Sequence, residues 1–214
     1  MKERIAYLDF VKGLAILLVC IGHAYWISPR GMSCPLVQWI YTFHMPLFML
    51  MCGFFSKGLF DLNVKQFVVK EFRRLVVPII VFTGLKIAIM TLFGANVWRD
   101  ELVGGMWFLR CLLFCDIIVY VGKKICEWDW ITCIISCVLL FVFPRGDFLR
   151  TNYFLLIYWT GYFWRKYYHL YELNVLWITI VSGFLCAIVR IAGEPQIVHW
   201  GDWQLLIKYY FSGI

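Results

Sequence analysis

The sequence predicts an all-α protein: a polytopic transmembrane helical bundle of about seven to eight spans with its N-terminus in the cytoplasm. Three observations carry that prediction. The chain is 63% hydrophobic with a mean hydropathy of +0.78, against about 45 to 50% apolar residues in soluble domains. Its apolar residues gather in runs of membrane length separated by short charged loops. Its aromatic share of 20% suits a protein with many interfacial anchors and an aromatic-lined interior. The net charge of +7 then reflects loop bias, and nucleic acid is not an expected partner; the lipid bilayer is.

The apolar runs occupy residues 10–27, 36–56, 75–94, 106–122, 130–143, 149–165 and 174–192, and another begins near 204. A span takes about 20 apolar residues, fewer where the bilayer thins or the helix ends snorkel, so the fifth run is the marginal one. The last stretch, QLLIKYYFSGI from Gln204, is too short to cross. A chain truncated relative to a longer protein is the expectation it raises. No repeat, low-complexity tract or soluble domain interrupts residues 1–214, which read as a single membrane-embedded domain.

Orientation follows from the lysines and arginines outside the runs. One side collects Lys2, Arg4, Lys57, Lys65, Lys70, Arg73, Arg74, Lys123, Lys124, Arg165 and Lys166; the other has only Arg30, Arg99, Arg145, Arg150 and Arg190. The richer side is expected to be cytoplasmic. Lys12 then lies in the inner leaflet and His23 toward the outer half of a cell membrane, bacterial inner or plasma.

The first run, DFVKGLAILLVCIGH from Asp9 to His23, carries an acid, a base and an imidazole in an otherwise apolar stretch. Ionisable groups in hydrocarbon are costly, and their default reading is functional. On one helix at about 100° per residue, Asp9, Lys12, Gly13, Ile16, Cys20 and His23 share a face about 100° wide. Lys12 and His23 stand one above the other about 16 Å apart. The plainer reading is a local Asp9–Lys12 ion pair with His23 at the far interface.

In the second run, QWIYTFHMPLFMLMCGFF places His44 just before Met45 and Pro46. Proline removes a backbone donor and frees a carbonyl, which can open a cavity beside it. His44 is therefore a candidate site residue, with a hydrogen-bonded structural imidazole as the alternative. Between the second and third runs, VKQFVVKEFRRLVVP (Val64 to Pro78) interleaves Phe67, Val68 and Phe72 with Lys65, Lys70, Arg73 and Arg74. An amphipathic helix on the cytoplasmic surface is expected. Its cations either grip anionic lipid headgroups or receive a phosphorylated donor from the cytosol.

The nine cysteines are scattered, mostly within apolar runs, with no CxxC or His/Cys ligand spacing. Neither a metal site nor a disulfide framework is expected. The first run lacks the cleavage region of a signal peptide and reads as retained.

The pattern LDFVKG…GH, with ten positions between the basic residue and the histidine, followed by TFHMPLFMLMCGFF, resembles the acyltransferase-3 family of integral-membrane O-acyltransferases. MWFLRCLLF (Met106 to Phe114) is similar to that family's Trp-Phe-Leu segment, and YWTGYFWRK (Tyr158 to Lys166) to its glycine-containing span end. The resemblance implies a multi-helix bundle, with more spans than this chain holds, that moves an acyl group, usually acetyl from acetyl-CoA, to a hydroxyl. The implied acceptor is a carbohydrate: a cell-surface polysaccharide, another envelope glycan or a related secreted molecule. Lys12 matches the family's basic residue, where arginine is commoner, and His23 and His44 match its first- and second-span histidines.

The chemistry of these residues fits that assignment. Attack of an alcohol on a thioester needs a base for the hydroxyl proton, and imidazole titrates near neutrality; His23 is the first candidate. An oxyanion needs donors fixed in a dry site. Arg110, within the fourth run, is a candidate for that role or for a donor phosphate, with snorkelling to the outer headgroups as the alternative. Lys12 and Asp9, at the cytoplasmic mouth, are expected to hold or order the acyl-CoA. A transporter or proton relay also uses such a stripe, but the paired broken helices of two related halves are missing from this sequence. A non-catalytic family member is the third reading.

Overall fold

A computed structural model of the chain describes residues 6–26, 35–142 and 151–167. The expected spans at 174–192 and from 204 lie outside the described residues. All regular structure among the described residues is helical: α1 (Ala6–Trp26), α2 (Pro35–Phe55), α3 (Lys57–Phe60), α4 (Val64–Glu71), α5 (Val77–Leu92), α6 (Trp98–Gly104), α7 (Trp107–Ile125), α8 (Asp129–Val142) and α9 (Thr151–Tyr167). The first six apolar runs thus all appear as helices. Two helical stretches, Val64–Leu92 and Trp98–Ile125, are long and apolar enough to cross a membrane, and shorter apolar stretches fill Gly13–Ala24, His44–Phe55 and Asp129–Val138.

The chain divides into two compact units, one formed by residues 1–55 and 157–214 and the other by residues 56–156. In the first, α1 packs against α2. Ala15 and Gly22 are buried on α1, where small side chains let the helix axes approach. Helix α2 also meets the C-terminal part of α9 through two reciprocal glycines. A Cβ at Gly53 would strike the carbonyl of Tyr158, and one at Gly161 would strike the carbonyl of Leu50. Neither obstacle is a side chain that can swing aside. Tyr158, Trp159 and Tyr162 are buried around this contact, with Trp159 stacked on Phe163 at 5.5 Å and Trp164 edge-on to Phe54 at 5.4 Å.

In the second unit α4 starts with a capping box. The Asn63 side chain accepts from the Gln66 backbone N–H at 2.9 Å while the Gln66 side chain accepts from the Asn63 N–H at 3.3 Å, fixing the start of α4. Phe67 of α4 stacks on Tyr120 of α7 with ring centroids 3.8 Å apart, and the Tyr120 hydroxyl donates to the Leu62 carbonyl at 3.0 Å.

The amphipathic segment is not a separate helix. It runs through a π turn at Phe72–Val76 into α5, and the Val77 N–H bonds back to the Phe72 carbonyl. Pro78 lacks the N–H that an uninterrupted α-helix would need at that point. A wider turn immediately before it shifts the bonding pattern and lets the helix continue. Between α6 and α7 the helical path breaks at Gly105 and Met106, where Met106 adopts φ = 52°. A left-handed non-glycine residue costs roughly 1–3 kcal/mol, so the surrounding contacts must hold this elbow.

Candidate active site

His44 sits on α2 at 3% exposure, with Nδ1 2.6 Å from the carbonyl oxygen of Ile40 one turn earlier. A carbonyl can only accept, so Nδ1 carries a proton, and the neutral form of the ring then has its lone pair on Nε2. That is the tautomer a base or a hydrogen-bond acceptor at Nε2 requires. Pro46, buried in the same helix, removes the donor that the Thr42 carbonyl would otherwise receive.

His23 approaches from α1. It lies on the helix packed against α2, so the two histidines singled out from the sequence sit on neighbouring helices. The face carrying His23 is open: Gly13, Ile16, Cys20 and His23 are all exposed, while Ala15 and Gly22 are buried. At about 100° per residue the polar stripe stands roughly a third of a turn from Ala15 and Gly22, away from the buried side of α1. Asp9 and Lys12 belong to the same continuous helix, but their side chains lie outside the described residues.

Arg110, in the second unit, is turned onto backbone. Its guanidinium donates to the Leu102 carbonyl at 2.5 Å and to the Glu101 carbonyl at 3.4 Å. Both carbonyls belong to the last turns of α6, where intrahelical donors run out. The carboxylate of Glu101 meanwhile takes Lys86 of α5 at 2.6 Å. Short α6 is therefore pinned from two sides by cations that hydropathy alone places inside apolar runs. Snorkelling, the alternative for Arg110, does not describe this geometry: the residue is 8% exposed.

Sequence reasoning counted Arg74 among the surface cations and passed over its partner on α7. Asp116, 1% exposed on α7, receives the guanidinium of Arg74, which also donates to Glu71 at 2.8 Å. An acid in the middle of an apolar run was the available signal. Among the described residues no group of three or more His, Cys, Asp or Glu side chains is arranged to hold a metal ion.

The acyltransferase-3 family model, described as an acyltransferase domain, matches residues 5–214. Nodulation protein NolL of Mesorhizobium japonicum is 31% identical over 137 residues, which is 53% of this chain and 34% of that protein. Nodulation protein NolL of Sinorhizobium fredii is 32% identical over 126 residues, or 49% of this chain and 33% of its own length. The matched part of this chain thus spans about a third of each curated relative. No solved structure matches.

Proposed function

Because the chain belongs to the acyltransferase-3 family, we propose that it is a membrane O-acyltransferase carrying an acyl group, acetyl in the simplest case, from acyl-CoA to a hydroxyl of a cell-envelope carbohydrate. The observation that supports this reading is the pair His23 and His44, on helices packed against each other, with Nδ1 of His44 held by the Ile40 carbonyl.

In this reading His23 takes the proton from the acceptor hydroxyl as its oxygen attacks the thioester carbonyl. The C–O bond forms, the C–S bond breaks, and the proton passes to the departing thiolate of coenzyme A. His44 offers Nε2 as a fixed acceptor that orients the His23 ring or the acceptor hydroxyl. Lys12, some three turns below His23, binds a phosphate of the donor as a point charge, and Asp9 orders that lysine. The span suits a pantetheine arm reaching from the cytoplasmic mouth to the imidazoles.

Arg110 enters this proposal as a positioning residue for the elbow before α7, since its guanidinium is already bonded to two carbonyls. The acyl group passes directly to the acceptor, with no acyl-histidine. The experiment is to incubate membranes carrying the chain with radiolabelled acetyl-CoA and cell-envelope extract. Label moves into glycan with the wild-type chain and not with His23→Ala. No transfer by the wild-type chain, or equal transfer by both, contradicts the proposal.

A further inference from the structure

A groove of about 640 Å³ on the second unit is lined by Leu62, Lys65, Gln66, Val69, Lys70, Arg73 and Arg74. Four of these, Leu62, Gln66, Val69 and Arg73, recur at helical spacing along one stripe, so the walls are set by the path of α4 into the π turn. Arg74 is committed to Glu71 and Asp116 and contributes wall, not charge. Lys65, Lys70 and Arg73 are exposed, which leaves three cations around a groove whose lining also includes Leu62 and Val69.

The same segment displays Val64, Val68 and Phe72 at 63%, 55% and 51% exposure. Cations beside open apolar side chains belong at a membrane–water boundary, where hydrocarbon covers the one and phosphate meets the other. Two phosphate sources are chemically open: a lipid headgroup or the nucleotide end of a donor. The lining decides between them. The groove surface is almost wholly apolar, and Val64, Val68 and Phe72 are open in the same segment, which suits acyl chains entering hydrocarbon and not the polar ribose and pyrophosphate of a nucleotide. We propose that this groove binds an anionic phospholipid, its upper acyl chains in the apolar groove along Leu62 and Val69 and its phosphodiester met at the rim by Lys65, Lys70 and Arg73. The site is independent of the acyl-transfer reading.

The test uses the full chain in detergent, exchanged against equal amounts of phosphatidylglycerol and phosphatidylcholine, with bound lipid counted by native mass spectrometry. A cation near a membrane surface contributes about fivefold each, so the three together give a preference for phosphatidylglycerol on the order of a hundredfold at low salt. The triple variant Lys65→Gln/Lys70→Gln/Arg73→Gln abolishes the preference, whereas Arg99→Gln, a cation of α6 outside the groove, preserves it. Circular dichroism melts check that both variants fold. A preference that survives in the triple variant overturns the proposal. So does a parallel titration with coenzyme A in which the nucleotide, and not the lipid, is what the triple variant loses.

Discussion

His23 of α1 and His44 of α2 lie on helices packed against each other, and the Nδ1 proton of His44 is held by the Ile40 carbonyl, 2.6 Å away. The second fact gives the first its chemical sense. A neutral ring whose Nδ1 is committed as a donor has Nε2 as its acceptor nitrogen, and the proposed function needs that nitrogen to meet a proton shared with the imidazole of the neighbouring helix.

The role of the Ile40 contact is separable from the role of Nε2. An asparagine at position 44 can keep the donor toward the Ile40 carbonyl but has nothing at the Nε2 position. His44→Asn therefore retains the melting temperature of the parent in detergent and loses about 10²–10⁴-fold in acetyl transfer. Should transfer persist with the fold intact, His44 is structural.

Reciprocal glycines set the α2–α9 spacing. Gly53→Ala and Gly161→Ala each drive a methyl against a main-chain carbonyl and destabilise by about 1–3 kcal/mol. Gly13→Ala is the contrast, because nothing lies within 4 Å of a Cβ there; it gains roughly 0.5–1 kcal/mol of helix propensity. Equilibrium unfolding in mixed micelles measures all three.

Arg110 ties α6 to α7 through two carbonyls. Arg110→Met costs about 1–3 kcal/mol and raises amide exchange across residues 98–106, where the left-handed Met106 depends on its neighbours. A direct part in the chemistry predicts the opposite pattern: lost turnover with exchange in this segment unchanged.

The Arg74–Asp116 pair joins the π turn to α7. Arg74 is 41% exposed and Asp116 1%, so solvent screens one partner and the burial cost falls on the other. A double-mutant cycle with Arg74→Met and Asp116→Leu gives a coupling of about 1–3 kcal/mol, and Arg74→Met alone is the worse single change because it strands a buried carboxylate. Additive losses show that the two side chains do not interact.

Much of this was legible in the residues. The runs at 10–27 and 36–56 reappear as α1 and α2 because continuous hydrophobicity with no internal breaker, apart from a tolerated proline, leaves a helix as the only way to satisfy the backbone in lipid. The two histidines were marked by their cost in such a setting. Four features were not legible. Helix α6 is too short for hydropathy to register, although Asp100 and Glu101 in its first turn favour a helix start. The bonding of Arg110 depends on the carbonyls of that helix and on the Met106 elbow, which no spacing rule announces. The continuity of α4 with α5 depends on a π turn whose placement before Pro78 is a backbone solution, not a side-chain pattern. The exposure of the His23 face is also new: helical periodicity placed those residues together but does not say which face packs.

The most direct test compares radiolabelled acetyl transfer into envelope glycan by the wild-type chain, His23→Ala, His44→Ala and the double variant, each in membranes at matched protein level. Two imidazoles acting as one proton-handling unit are non-additive, so each single change removes transfer to near background and the double variant is no worse. Independent, multiplicative losses, or transfer undiminished by either change, contradict the account.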